Sequence, residues 1–182
     1  PEILDICLKS ATENQSKKNE IIVVVDGFAE ESSHILKKYT DQITILTFKN
    51  NKGMQTALNF GVMNASNETI CIINDLEYEP TIRHSRLTVD GGIFPFAMSK
   101  QDYMTVGGFD TMYQSPFICD WDFFLKLELT GKTFSRTSKG HFYHFGSTAT
   151  KNGKDGAMFK ATEGPAADLF EYKWGIRPKL YA

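Results

Sequence analysis

The chain has 182 residues, 41% of them hydrophobic and 23% charged, with a formal net charge of −2. That length supports one domain with a substantial core. The near-neutral charge, with basic residues scattered in pairs such as Lys17-Lys18 and Lys37-Lys38, argues against a nucleic-acid surface, which needs clustered Lys and Arg.

In chain order, the first half alternates strand and helix. Glu20 to Val25 is a continuous β-branched run that suits a strand buried on both faces, ended by Asp26-Gly27. Glu30 to Tyr39 reads as a helix, and Gln42 to Phe48 as a second strand closed by Asn50-Asn51-Lys52-Gly53. Met54, Ala57, Leu58, Gly61, Val62 and Ala65 then recur at helical spacing. Glu68 to Ile73 is a third strand, ended by Asn74-Asp75. This alternation predicts an α/β fold with a mostly parallel sheet, helices on both faces and right-handed crossovers. Ligands gather at the carboxyl ends of such strands, where Asp26, Asn50-Asn51 and Asp75 stand.

The second half is less regular. Gly92 to Ser99, Lys132 to Ser135 and Gly140 to Phe145 read as strands, Lys100 to Val106 and Asp120 to Leu129 as helices. Gly153 to Tyr172 reads as partly helical with a break at Gly164-Pro165. Gly107-Gly108-Phe109-Asp110 precedes Cys119-Asp120-Trp121-Asp122, two acids where a loop becomes a helix. Asp120 there suits either a helix cap or an acid held at a pocket rim. Asp75 and Glu77 could offer carboxylate oxygens to Mg²⁺ or Mn²⁺, or be two solvated acids in a turn. His141 and His144, three apart on an expected strand, point to opposite faces, so only one can face a site.

The cysteines Cys7, Cys71 and Cys119 are widely spaced and odd in number, without zinc spacing, which fits a reducing, cytoplasmic compartment. No apolar run approaches the ~20 residues that span a bilayer, and no signal peptide is visible in a chain that opens at Pro1.

"EIIVVVDG" (20–27), "NKGMQTALNFG" (51–61), "ICIINDLEYEP" (70–80), "GGFD", "CDWD", the His144 region and "KWG" (173–175) stand in an order that resembles the nucleotide-sugar glycosyltransferases of the GT-A fold, family 2. The resemblance covers nearly the whole chain and implies one GT-A domain over 1–182, with a nucleotide-binding half at about 1–80 and an acceptor half at about 91–182. It implies a metal-dependent inverting hexosyl- or deoxyhexosyltransferase that moves a sugar from a nucleotide-diphosphate sugar, a UDP-sugar first, to a glycan hydroxyl.

Carried over onto this sequence, Asp120 is the expected catalytic base. Asp26, Asn51, Gly53, Asn59 and Asp75 are expected at the donor nucleotide, and Gly108, Trp121 and Asp122 at the acceptor. Asp75, Glu77 and His144 are expected to hold Mn²⁺ or Mg²⁺. The chain departs from the family pattern at Val25 and Asn74, where acids are common, and at Cys119, where glutamate is usual. The family's opening strand is expected before Pro1, and the stretch from Pro80 to Gly92 is short against the pattern. Two other functions compete: a nucleotidyltransferase, which would need a Gly-rich triphosphate loop that is not visible, and a binding module that retains nucleotide or sugar without catalysis.

Overall fold

A computed structural model describes residues 2–27, 29–73, 95–115, 118–135 and 156–178, with only the backbone for 156–162. The N-terminal half opens with helix α1 (Glu2–Glu13), followed by strand β1 (Ile22–Asp26), helix α2 (Ala29–Leu36) with a 3-10 turn at Lys37–Tyr39, and strand β2 (Thr44–Phe48). Helix α3 (Met54–Asn64) and strand β3 (Thr69–Ile72) complete it. The second half has strand β4 (Phe96–Ser99), helix α4 (Lys100–Thr105), helix α5 (Cys119–Leu129) and helix α6 (Gly156–Trp174). The architecture is mixed α/β with a small parallel pair, as a GT-A fold requires: β1 pairs parallel to β2 from Ile22 opposite Thr44 to Asp26 opposite Phe48. β3 pairs antiparallel to β4.

Two apolar clusters form the core. In one, Leu8 of α1 packs with Val25, Ile35, Leu36, Tyr39 and Ile43. The other joins Val62, Ile70 and Ile72 to Tyr103, Phe109, Tyr113, Phe123, Leu127 and Phe170. Helix α3 serves both halves, because Gly61 lets it lie on β1 so closely that a Cβ there would be 3.1 Å from Val24 Cγ2. Polar ties fix the connections. The Glu20 carboxylate accepts from the backbone N–H groups of Ser66 and Asn67 at 2.6 and 3.0 Å, fastening the start of β1 to the turn after α3. Ser99 Oγ accepts from Asp102 N at 2.9 Å and so caps α4 directly at the end of β4.

Three expectations change. Residues 132–135 form no strand; all four are exposed, Phe134 at 48%, so alternation there has no core to face. Helix α6 runs through Gly164-Pro165 without a break. Pro165 removes one helical hydrogen bond, but Ala166, Ala167 and Phe170, at most 5% exposed, hold the helix on the core. Strand β1 is buried only at Val25, its other members being half-buried. Helix α1 is an addition that sequence reading did not identify; Asp5 secures it by accepting from Lys38 Nζ and Tyr39 Oη, both at 2.9 Å. The expected strand at 140–145 lies outside the described residues.

Candidate functional site

Of the residues expected at the donor, Asp26, Asn51 and Gly53 meet at the carboxyl end of β1. Asp26, the last residue of β1, accepts from the backbone N–H groups of Lys52 at 2.6 Å and Gly53 at 2.8 Å, one per carboxylate oxygen. Asn51 Oδ1 accepts from the same Gly53 N–H at 2.9 Å. A short acid at a strand end therefore shapes the turn that launches α3. Gly27 follows with φ of +87°, and a Cβ there would come within 2.9 Å of Asn51 N, so the two loops meet backbone to backbone.

Asn59, one turn further along α3, is tied to the Gly107–Asp110 turn and to α4. Its amide donates to Phe109 O at 2.8 Å, and its Oδ1 accepts from Phe109 N at 2.9 Å and Tyr103 Oη at 2.6 Å. It clamps the Gly107–Asp110 turn onto α3. Gly108, buried in that turn with φ of +66°, would put a Cβ 2.5 Å from Asn59 Oδ1. Gly108→Ala is therefore expected to lower stability by on the order of 2 kcal/mol through backbone strain and loss of the clamp, read as a lower denaturant midpoint at unchanged slope.

Gln55 links the two halves. It is 4% exposed, donates from Nε2 to Ser115 O at 2.6 Å, and its side chain also hydrogen-bonds Cys119. The turn shaped by Asp26 is thus joined by one residue of α3 to the start of α5, where Asp120 stands.

Helix α5 begins from Ile118, a non-glycine residue held at φ of 70°, a strained conformation for a β-branched side chain. Cys119 is fully enclosed, and burial followed by the charge of Asp120 pushes its thiol up to about 12, so it is inert packing. Asp120 is half-buried, and Oδ1 accepts from Trp121 N at 3.0 Å. Burial raises its pKa above the usual aspartate value, against the opposing pull of the Trp121 N–H. A carboxyl so placed holds its proton more tightly than a solvated one, which makes it the stronger base once ionised. Trp121 itself is half-buried against the main core cluster.

Asp122, expected at the acceptor, is 0% exposed and enclosed by protein. Its Oδ1 accepts from Lys173 Nζ, from Trp174 Nε1 at 3.0 Å and from Tyr113 Oη at 3.3 Å. Its Oδ2 lies 3.3 Å from Lys126 Nζ as an ion pair, without hydrogen-bond geometry. Lys126 in turn donates to Gly108 O at 2.7 Å. Lys173 also donates to Asp110 Oδ2 at 2.7 Å and stands over the rings of Tyr113 and Trp174 at 5.3 and 5.7 Å.

Burial works against the charged form of Asp110, but Lys173 and the Met112 N–H outweigh it and its pKa is lowered. Burial also works against charged Lys173, and the two carboxylates raise its pKa on balance. The pair therefore adds stability above the unfolded acid's pKa of ~3.9 and below the unfolded lysine's of ~10.4. That contribution is lost as pH falls through the lowered pKa of Asp110 or climbs through the raised pKa of Lys173.

Sequence reading did not identify Gln55, Asp110, Lys126 or Lys173 as site residues. The four-residue spacing of Asp122 and Lys126 was a visible signal; the contact of Lys173 with Asp110 spans 63 positions and had none. Asp75, Glu77 and His144 lie outside the described residues. Among the described residues, no group of three His, Cys, Asp or Glu side chains could hold a metal ion. Nor is any described helix long and apolar enough to cross a membrane.

The mixed α/β architecture, with its small parallel strand pair and flanking helices, fits a GT-A, Rossmann-like fold. The family model described as glycosyl transferase family 2 matches residues 1–83, and this N-terminal part of the chain is similar to that family. No curated protein matches the chain.

Proposed function

We propose that the protein is an inverting, metal-dependent glycosyltransferase that moves a hexosyl or deoxyhexosyl group from a nucleotide-diphosphate sugar, a UDP-sugar first, to a glycan hydroxyl. The observation that carries this reading is the Gln55 bridge, which brings the donor-side turn and Asp120 into one neighbourhood. Asp120 removes the acceptor hydroxyl's proton as that oxygen attacks the anomeric carbon, and the leaving nucleoside diphosphate departs from the opposite face in one displacement. Asp26, Asn51 and Gly53 form the turn beside the nucleotide, with the backbone of that turn set by the Asp26 carboxylate. Asn59 and Gly108 hold the acceptor-side turn, and Trp121 flanks the base.

Asp75, Glu77 and His144 would supply two carboxylates and an imidazole, ligand types that suit Mn²⁺ or Mg²⁺. A divalent cation bound there would neutralise charge on the departing diphosphate. The test is release of nucleoside diphosphate from a panel of sugar nucleotides with Mn²⁺ and glycan acceptors. Turnover with one donor supports the reading, whereas metal-dependent binding without turnover across the panel favours a binding module. Asp75→Ala is expected to abolish the Mn²⁺-dependent part of nucleotide affinity, measured by titration calorimetry. Unchanged affinity would remove Asp75 from the ligand set.

A further inference from the structure

We propose that Lys173 is a positioning residue for the transfer step, locking helix α6, the Gly107–Asp110 turn and the first turn of α5 into one unit that fixes the direction of Asp120. The proposal rests on the reading of Asp120 as the base. Its ammonium bridges carboxylates from two separate segments, Asp110 of the turn and Asp122 of α5, while the neighbouring Trp174 donates to the same Asp122 oxygen. The lysine side chain is 24% exposed and that of Asp122 is 0%, so the lock is closed largely away from solvent.

Docking α6 does not require this charge. Ala166, Ala167 and Phe170 already bury its apolar side in the main cluster. Removing two charges from water is costly, and an apolar pair of similar volume often packs at no loss in stability. What an apolar pair lacks is directionality. Lys173 and Trp174 set the Asp122 carboxylate along defined hydrogen bonds, and Asp122 lies two residues beyond Asp120 on the same helical turn. Lys126 extends the lock by joining Asp122 to the carbonyl of Gly108. Two other stretches, the Gly107–Asp110 turn and the end of α6, thus converge on the turn that carries the base, and a displacement of about 1 Å there is enough to cost ~10²-fold in rate.

The experiment compares the full chain with Lys173→Met and Lys173→Arg, reading three quantities per folded molecule: kcat for transfer, nucleoside diphosphate Kd, and hydrogen exchange of the amides at 119–122. Lys173→Met is expected to lower kcat by ~10- to 100-fold, to leave the Kd unchanged, and to speed exchange in the first turn of α5 but not in β1 or α3. Lys173→Arg, which keeps the charge, is expected to restore most of both effects. Unchanged kcat and unchanged exchange in Lys173→Met would overturn the proposal, as would a loss shared equally by nucleotide affinity.

If Lys173→Met does not fold, Asp110→Asn removes one of the lysine's carboxylates at a partly exposed position. The same pattern is expected at a few-fold size, and its absence overturns the lock. A wild-type chain that turns over no donor would defeat the transferase reading while the exchange pattern still decides the role of Lys173.

Discussion

Asp120→Asn is expected to lower sugar transfer by on the order of 10²-fold or more while nucleoside diphosphate affinity stays unchanged. The amide keeps the shape of the carboxyl, so the start of α5 and its contact with the Trp121 N–H at 3.0 Å have no steric reason to move. What would be lost, on the proposed reading, is the lone-pair basicity that takes the acceptor's proton. On that reading the same group sets a pH limit in the unsubstituted protein. Because burial raises the Asp120 pKa, the rate should fall on acidification at a pH above the ordinary aspartate value. The sign follows from the base being active only when ionised. Full activity in Asp120→Asn, or an acid limb unaffected by its removal, would place the base elsewhere.

The second large effect concerns stability. Phe123→Ala should cost about 3–5 kcal/mol, the range for deleting an enclosed aromatic side chain from a core. Phe123 is 0% exposed and stacks on Phe109 with ring centroids 4.5 Å apart. It also meets Tyr103 at 5.1 Å, Phe124 at 5.3 Å and Phe96 at 5.8 Å. The cavity would open where α4, α5, β4 and the Gly107–Asp110 turn meet, and several rigid rings would have to shift together to fill it. A drop in Tm of roughly 6–20 °C is the expected reading for a chain of this size. A shift within a degree or two would mean that the ring cluster collapses freely.

Much of the N-terminal half is legible in the sequence for a simple reason. Its first two strands are β-branched runs closed by Asp26 and Asn50-Asn51, and its third helix repeats apolar residues at the helical period, so local pattern and element type agree even though β1 is buried only at Val25. Helix α1 escapes such a reading because only Leu8 is buried, with Leu4 packed beside it, and the polar ties run from Asp5 to Lys38 and Tyr39 more than thirty positions away. Pro165 misleads for the opposite reason: a local breaker is overruled by the burial of the two alanines beside it. The acids of "CDWD" are visible as a pair, but nothing in their spacing separates them. Only the fold does so, leaving Asp120 half-buried and enclosing Asp122 among Lys173, Trp174 and Tyr113. Asn59 is likewise legible as a motif residue, while its partners at Tyr103 and Phe109 depend on a turn that sequence spacing cannot orient.

Ile118 carries a consequence for the packing around it. A branched side chain held in a left-handed backbone conformation stores on the order of 1–3 kcal/mol, which the enclosing packing must hold in place. A glycine there would carry no such cost, so the branched side chain is kept against the backbone preference by its burial, at 6% exposed, in the same cluster as Phe123 and Phe170.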